Sequence, residues 1–164
     1  MVELQKILPN RFVLDSSFLV PLLNPAHKNN HLADRFKSRI GDSVVNAVNL
    51  GETFYTIYDL ARIHSVGIES VLSGYGVMVE PFTADLARNL NELRRIDRLR
   101  RDEQESQNVK RDSIKSLSLG DMSCLSQAME LGLPVLTGDT HWFALNKHGL
   151  NVVLIDYRDV TLSF

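Results

Sequence analysis

The sequence predicts a three-layer α/β fold, in which a central parallel β-sheet lies between two layers of helices. Short apolar runs rich in β-branched residues alternate along the chain with segments whose apolar residues recur at helical spacing. Parallel strands need long crossover connections, which the intervening helices supply. The length of 164 residues and the hydrophobic content of 44% suit a sizeable core, and we expect a single domain over residues 1–164.

The first predicted strand covers residues 11–14 and leads into a short apolar helix that starts at Ser16 or Ser17 and runs through Leu23. A serine at the start of this helix can cap it, and an Asn-Pro pair ends it, because proline restricts the residue before it. A second helix is expected at about residues 27–40, where Gly41 interrupts the pattern.

Residues 43–47 and 75–82 are the second and third predicted strands. Between them we expect a long helix at residues 49–64 and a short one at residues 68–74. The long helix is predicted from a stripe of apolar residues at helical spacing, formed by Leu50, Phe54, Ile57 and Ala61.

The C-terminal half continues the alternation. A helix begins after Thr83, which can cap it, and its apolar stripe runs to Leu93. The same criteria then predict a helix at 119–131, a strand at 134–137, a helix at 140–148 and a strand at 151–155.

Composition and charge limit the class of protein. Glu3 and Lys6 interrupt the N-terminal apolar residues, so no secretory signal or membrane span is predicted, and a cytoplasmic location is expected. The single cysteine, Cys124, lies on an apolar helix pattern, which favours a buried core residue over a nucleophile. A net charge of −2 argues against a nonspecific nucleic-acid coat protein, but it is compatible with an enzyme that holds phosphate through a metal.

Four carboxylates lie at predicted strand ends or helix starts: Asp15, Glu52, Asp121 and Asp139. The carboxyl ends of parallel strands meet at one edge of a sheet, so these acids are expected to converge on one pocket. Without a cation they repel one another, by roughly 3 kcal/mol for charges about 5 Å apart at an effective dielectric near 20. Hard divalent cations prefer oxygen ligands, which predicts a Mg²⁺ or Mn²⁺ site. Each acid taken alone has the alternative of being a helix cap or a solvated charge.

Four short motifs surround these acids. They are Val-Leu-Asp-Ser-Ser-Phe-Leu at 13–19, Val-Asn-Leu-Gly-Glu at 48–52, Leu-Ser-Leu-Gly-Asp at 117–121, and Leu-Gly-Leu-Pro-Val-Leu-Thr-Gly-Asp at 131–139. In this order and spacing the chain resembles the PIN-domain family over about residues 11–158. That family includes the VapC-type toxin ribonucleases of toxin–antitoxin pairs.

The resemblance implies a PIN-like fold in which the catalytic, metal-binding acids are Asp15, Glu52, Asp121 and Asp139. The hydroxyl groups of Ser17 and Thr137 match positions that support such a site. The resemblance also implies a cofactor of Mg²⁺ or Mn²⁺, hydrolysis of single-stranded RNA, an antitoxin protein as partner, and a homodimer. The chain departs from the family pattern in a charged stretch, residues 94–115, that is longer than in compact members.

This charged stretch contains eight basic and five acidic residues, a local net charge of +3. Few apolar residues occur in it, so an exposed helical insertion or mobile arm is expected at about residues 94–116. It can be a solvated helix, a surface for a partner protein, or an RNA-contacting arm. The candidate RNA-binding residues are Arg94, Arg95, Arg98, Arg100 and Arg101.

Three histidines and one tryptophan have weaker signals. His27 and His31 stand four residues apart on the predicted second helix, where a solvated face is favoured over a metal pair. His141 follows Asp139 closely enough to face the pocket, although a surface role is favoured. Trp142 is predicted to pack in the core.

Three functions are compatible with these observations. A metal-dependent ribonuclease is favoured by the four acids, and the resemblance implies that it is the toxin of a type II toxin–antitoxin pair. A non-catalytic PIN-like scaffold that binds RNA or protein is the first alternative, and retention of all four acids argues against it. Another Mg²⁺-dependent phosphotransfer enzyme is the second, and the absence of an Asp-x-Asp motif at Asp15 argues against it.

Overall fold

The computed structural model describes residues 9–159 and has one sheet of five strands. They are β1 (Val13–Leu14), β2 (Val44–Asn46), β3 (Met78–Glu80), β4 (Val135–Thr137) and β5 (Leu154–Asp156). Their order in the sheet is β3-β2-β1-β4-β5, and every neighbouring pair is parallel. The predicted central parallel sheet is therefore confirmed, with strands shorter than the sequence patterns indicated.

Helices connect the strands. They are α1 (Ser16–Leu23), α2 (Asn30–Asp34), α3 (Ala47–Ala61), α4 (Ser65–Gly74), α5 (Ala84–Arg88), α6 (Leu90–Ser106) and α7 (Leu119–Leu131). Two 3₁₀ segments, Arg111–Ser113 and Thr140–His148, complete the secondary structure of the described residues. The second of these has the bounds of the helix predicted at residues 140–148 and is 3₁₀ in type.

Alternate residues of the inner strands face opposite sides of the sheet. Val13 and Val135 contribute to an apolar cluster with α6 and α7, whereas their neighbours Leu14 and Leu136 contribute to a second cluster with α1, α3 and α4. Because both faces of the sheet bury apolar side chains against helices, the fold has three layers, as predicted.

The predicted helix at 27–40 is wrong in its length. Only α2 is α-helical there, and the chain continues in turns, in which Lys37 N donates to Asp34 O and Arg39 N donates to Phe36 O at 2.8 Å. His27 lies before the helix and its Nδ1 accepts from Asn29 N at 3.1 Å. His27 and His31 therefore do not lie on one face of a common helix.

Residues 94–116, expected from the sequence to be an exposed insertion, are in part interior. The first part of this stretch continues α6, whose Leu93 and Ile96 are buried in the apolar cluster that includes α7. Arg100 is 1% exposed and forms a buried ion pair with Asp97, in which Nη2 and Oδ1 lie 2.7 Å apart. Arg100 is therefore an interior residue and is withdrawn as a candidate RNA contact.

Cys124 and Trp142 are fully buried in the same cluster, which confirms their prediction as core residues. Burial also raises the pKa of the Cys124 thiol well above its usual value, so the thiol form is favoured. Among the described residues 9–159, no helix is both long and apolar enough to cross a membrane.

Candidate active site

The sheet places two of the four acids. Asp15 directly follows β1 and is the N-cap of α1, where its side chain accepts from Ser17 N at 3.3 Å. Asp139 follows β4, the neighbour of β1, by two residues. Adjacent parallel strands end side by side, so these two carboxylates lie at the same edge of the sheet.

Asp15 is the most buried of the four, with 1% of its surface exposed. Its Oδ2 accepts hydrogen bonds from Thr137 Oγ1 at 2.9 Å and from Ser17 Oγ, while Oδ1 accepts from Asn49 Nδ2 at 3.4 Å. Burial raises the pKa of Asp15 from 3.8 to about 7, although the bonds from the two hydroxyls lower it. The charges of Asp139 and Asp121 contribute to the increase.

Ser17 and Thr137 connect Asp15 to the loop that carries Asp139. Gly138 N donates to Ser17 Oγ at 2.8 Å, and Asp139 N donates to Thr137 Oγ1 at 3.0 Å. The two hydroxyl oxygens are themselves 3.1 Å apart. The structure thus brings both sequence-predicted hydroxyl residues against Asp15, where they fix the positions of two loops relative to one another.

Glu52 and Asp121 approach from the two helices α3 and α7. A Cβ atom at Gly120 would lie 2.2 Å from the carboxylate oxygens of Glu52, so a larger residue there would displace that carboxylate. Glu52 Oε2 accepts from Ser16 Oγ at 3.2 Å. Desolvation raises the pKa of Glu52, and the charges of Asp121 and Asp139 add to this effect.

Asp121 is also a helix-capping residue, which was the alternative role considered for each acid. Ser118 N donates to Asp121 Oδ2 at 2.8 Å, and Asp121 N donates to Ser118 Oγ at 3.1 Å, which forms a capping box at the start of α7. Desolvation raises the pKa of Asp121, while its bonds with Ser118 lower it. The capping box therefore keeps Asp121 at the site, and its role as a helix cap is compatible with a role in the acid cluster.

His141 lies at the edge of the same cluster. Its Nδ1 is 3.9 Å from Asp139 Oδ1, and its Nε2 is buried without a hydrogen-bond partner in the described part of the chain. Burial lowers the pKa of His141, even though Asp139 and Asp121 oppose this. The neutral imidazole is therefore favoured at neutral pH.

Asn49 is a site residue that the sequence analysis missed. It is fully buried one helical turn before Glu52, and its Nδ2 contacts both Asp15 and the backbone oxygen of Gly120, the latter at 3.3 Å. Its Oδ1 is buried and accepts no hydrogen bond from residues 9–159. Its position in the Val-Asn-Leu-Gly-Glu motif, on the same helix face as Glu52, is the signal that could have identified it.

The oxygen chemistry of the cluster fits a hard divalent cation. Glu52 Oε1, Asp121 Oδ1 and both carboxylate oxygens of Asp139 accept no hydrogen bond from any described residue, and Asn49 Oδ1 is a further free oxygen. Within residues 9–159, however, no three His, Cys, Asp or Glu side chains lie close enough to hold one metal ion. Shared coordination therefore requires side-chain rotation from the positions that the cap and Ser16 stabilise.

The fold is similar to those of several solved structures. VapC20 of Mycobacterium tuberculosis, described as a sarcin-ricin loop cleaving toxin, is 19% identical with a TM-score of 0.57, over 87% of this chain and 98% of that chain. FitAB bound to an IR36 DNA fragment is 15% identical with a TM-score of 0.62, over 93% and 99%. VapBC2 of Rickettsia felis, bound to a promoter DNA fragment, is 15% identical with a TM-score of 0.54, over 88% and 97%.

At these identities the likeness establishes the fold alone. A comparison with curated protein sequences finds no match. A family model described as the PIN domain matches residues 12–147, which is more than half of the 164 residues and includes all four acids. The chain therefore belongs to the PIN domain family.

Proposed function

We propose that the protein is a metal-dependent endoribonuclease that hydrolyses phosphodiester bonds of single-stranded RNA. The observation that carries this proposal is the cluster of four acids, which are close enough for Asp121 and Asp139 to raise the pKa of both Asp15 and Glu52. Burying like charges together is unfavourable unless a cation or a proton compensates them. Membership of a family whose members are typically nucleases supports the same function.

The chain's own residues would hold the cation and the substrate in place. Asp15, Glu52, Asp121 and Asp139 would hold Mg²⁺ or Mn²⁺, which supplies a Lewis acid that polarises phosphate and lowers the pKa of an attacking water. Ser17 and Thr137 keep Asp15 oriented, and the same hydroxyls fix the backbone at Asp139. This preorganisation reduces the rearrangement needed when substrate binds.

A cavity of about 400 Å³ provides room for a substrate segment, and it is reached from the acids through Ser17 and Gly138, since the acids themselves do not line it. Its lining includes Ser17 and Gly138 from the site, together with the cationic side chains of Lys28 and Arg158. Arg158 is held by a 2.6 Å hydrogen bond from Nη2 to Gly138 O and by its ion pair with Asp156. The charge of Arg158 is therefore already paired, whereas Lys28 has no ion pair among the described residues, and its positive charge favours an anionic substrate.

We expect the purified protein to cleave single-stranded RNA when Mg²⁺ or Mn²⁺ is present and to be inactive in excess EDTA. Glu52→Gln should lose cleavage, because it removes a charged oxygen ligand. The matched control is Glu92→Gln, since Glu92 is an exposed acid on α6 that pairs with Arg95. Gel analysis of a labelled RNA measures both. Cleavage that survives EDTA would contradict metal dependence, and RNA binding without cleavage would indicate the non-catalytic scaffold.

We further propose that the protein is the toxin of a toxin–antitoxin pair, with an antitoxin protein as partner, and that it forms a homodimer. Similarity in fold to VapC20, FitAB and VapBC2 supports this proposal. Induced expression in a bacterial host should arrest growth, and co-expression of a small protein encoded beside its gene should restore growth. Asp139→Asn should be harmless when expressed alone. Growth arrest by this variant would contradict a toxic activity based on RNA cleavage.

A further inference from the structure

Three arginines of α6 lie on one face of the helix. Arg94, Arg98 and Arg101 are separated by four and three residues, which places them in one row about 10 Å long. Arg111, from the following 3₁₀ segment, faces the same groove. The groove has a volume of about 230 Å³, and four of its six lining side chains are these arginines, the others being Asp97 and Asp102.

Three of the four arginines in this groove form no ion pair with a described residue, whereas Arg111 is paired with Glu105, with Nε and Oε1 3.2 Å apart, and Asp102 adds one negative charge. Other arginines of the region are paired: Arg88 with Asp85, Arg95 with Glu92, and Arg100 with Asp97. In contrast, no carboxylate of residues 9–159 forms an ion pair with Arg94, Arg98 or Arg101. Arg101 Nε is moreover buried and has no hydrogen-bond partner in that part of the chain. Asp97, on the groove wall, is already neutralised by its buried partner.

The groove begins beside the acid cluster. Arg94 Nη1 donates to Leu117 O at 3.4 Å, and the next residue, Ser118, caps α7 through its bonds with Asp121. At the same end, the charges of Arg100 and Lys115 act on His141, which neighbours Asp139. A ligand that occupies the acid cluster can therefore extend from it into the groove.

We infer that this arginine groove binds backbone phosphates of the RNA strand that is cut at the acid cluster. The inference rests on the proposed ribonuclease function. Guanidinium groups bind phosphate oxygens through paired hydrogen bonds, and a row of them matches successive phosphates of an extended strand. Of the residues expected from the sequence, the inference keeps Arg94, Arg98 and Arg101, which have no ion pair among the described residues, and excludes Arg95 and Arg100, whose charges are already paired. Arg111 also lines the groove, but its charge is paired with Glu105.

The salt dependence of single-stranded RNA binding tests this inference, measured in EDTA so that cleavage cannot interfere. Replacing both Arg98 and Arg101 by Gln should weaken binding by roughly tenfold for each arginine removed. It should also reduce the slope of log affinity against log salt by about 1.4, which is about 0.7 for each phosphate that is no longer neutralised. The control with the same change of charge is the Arg88→Gln and Arg95→Gln double variant, and its slope should equal that of the wild type. Thermal unfolding should show both variants folded.

Each alternative outcome has a distinct meaning. An unchanged slope in the groove variant, or an equal loss in the control variant, would overturn the inference. So would a groove variant that binds RNA normally but fails to bind a protein partner. A short RNA that spans only the acid cluster should be cleaved equally by wild type and groove variant. If the wild type cleaves no RNA but the slopes differ as expected, the proposed nuclease function fails while the groove stands.

Discussion

Replacing Asp15 by Asn should abolish RNA cleavage and make the metal-free protein more stable at pH values above about 7. Asp15 is almost fully buried, and burial raises the pKa of its carboxyl group from 3.8 to about 7. Ionised Asp15 is therefore a buried negative charge, whereas Asn is uncharged and of similar shape. Asn also keeps an oxygen that can accept from Ser17 N and Thr137 Oγ1, the donors to the native carboxylate.

The sign of the pH dependence follows from proton binding. Between about pH 4 and pH 7 the folded protein binds a proton at Asp15 that the unfolded chain has lost. The stability contributed by this group is therefore full below about pH 4 and is lost as the pH rises through about 7. The difference in pKa corresponds to on the order of 4 kcal/mol in the free energy of unfolding. Asp15→Asn should lack this decrease.

Urea unfolding in EDTA from pH 4 to pH 9 measures the effect. Asp59→Asn serves as control, because Asp59 is exposed on α3, the helix that carries Glu52. In the wild type, added Mg²⁺ should raise the melting temperature more as the pH rises through 7, because metal binding requires the deprotonated carboxylate. An Asp15→Asn profile parallel to that of the wild type would show that Asp15 does not titrate in this range.

The proximity of Asp15, Ser17, Thr137 and Asp139 could be predicted because these residues lie in short segments at the ends of neighbouring strands. Asp15 and Ser17 share one turn, as do Thr137 and Asp139, so the sequence motif already contains their local geometry. The contact between Asn49 and Gly120 could not be predicted in this way. It depends on the packing of α3 against α7, whose residues are 71 positions apart in the chain.

The turns after α2 and the interior of α6 depend on context in the same way. Residues 27–40 contain a helical periodicity, but hydrogen bonds between residues three apart replace the helical pattern after Asp34. In the charged stretch, the composition gives no reason to distinguish one arginine from another. Only tertiary packing makes Arg100 a buried residue and Arg95 an exposed one. Arg100 is 1% exposed and pairs with Asp97, whereas Arg95 pairs with Glu92 at the surface.

Arg100→Met should be among the most destabilising substitutions in α6. The free energy of unfolding should fall by about 3–5 kcal/mol, because removal of one member of a buried ion pair leaves the other uncompensated. Arg100 Nη2 also donates to Lys115 O, and Asp97 Oδ2 accepts from Leu117 N at 3.2 Å. The pair therefore holds the segment that leads to Ser118 against α6.

Two variants distinguish this role from a general effect of charge. Arg95→Met removes the same charge from the same helix, but its pair with Glu92 is exposed, so the expected loss is only about 0–1 kcal/mol. Arg100→Lys keeps the charge but lacks the planar fork that contacts Asp97 and Lys115 together, and it should be intermediate. Chemical denaturation of the three variants measures the order of their losses in the free energy of unfolding. Equal losses for Arg100→Met and Arg95→Met would contradict the role of the buried pair.

The ion pair of Arg100 and Asp97 also affects the geometry of the acid cluster. When the segment at 115–117 is released from α6, the capping residue Ser118 loses its support, and Asp121 loses the bond that orients its carboxylate. Amide hydrogen exchange at Leu117 should therefore be faster in folded Arg100→Lys than in the wild type, and RNA cleavage should fall with it. Because Arg100 is buried, the slope of RNA binding against salt should stay unchanged, which separates this positioning role from the phosphate contacts inferred for Arg98 and Arg101.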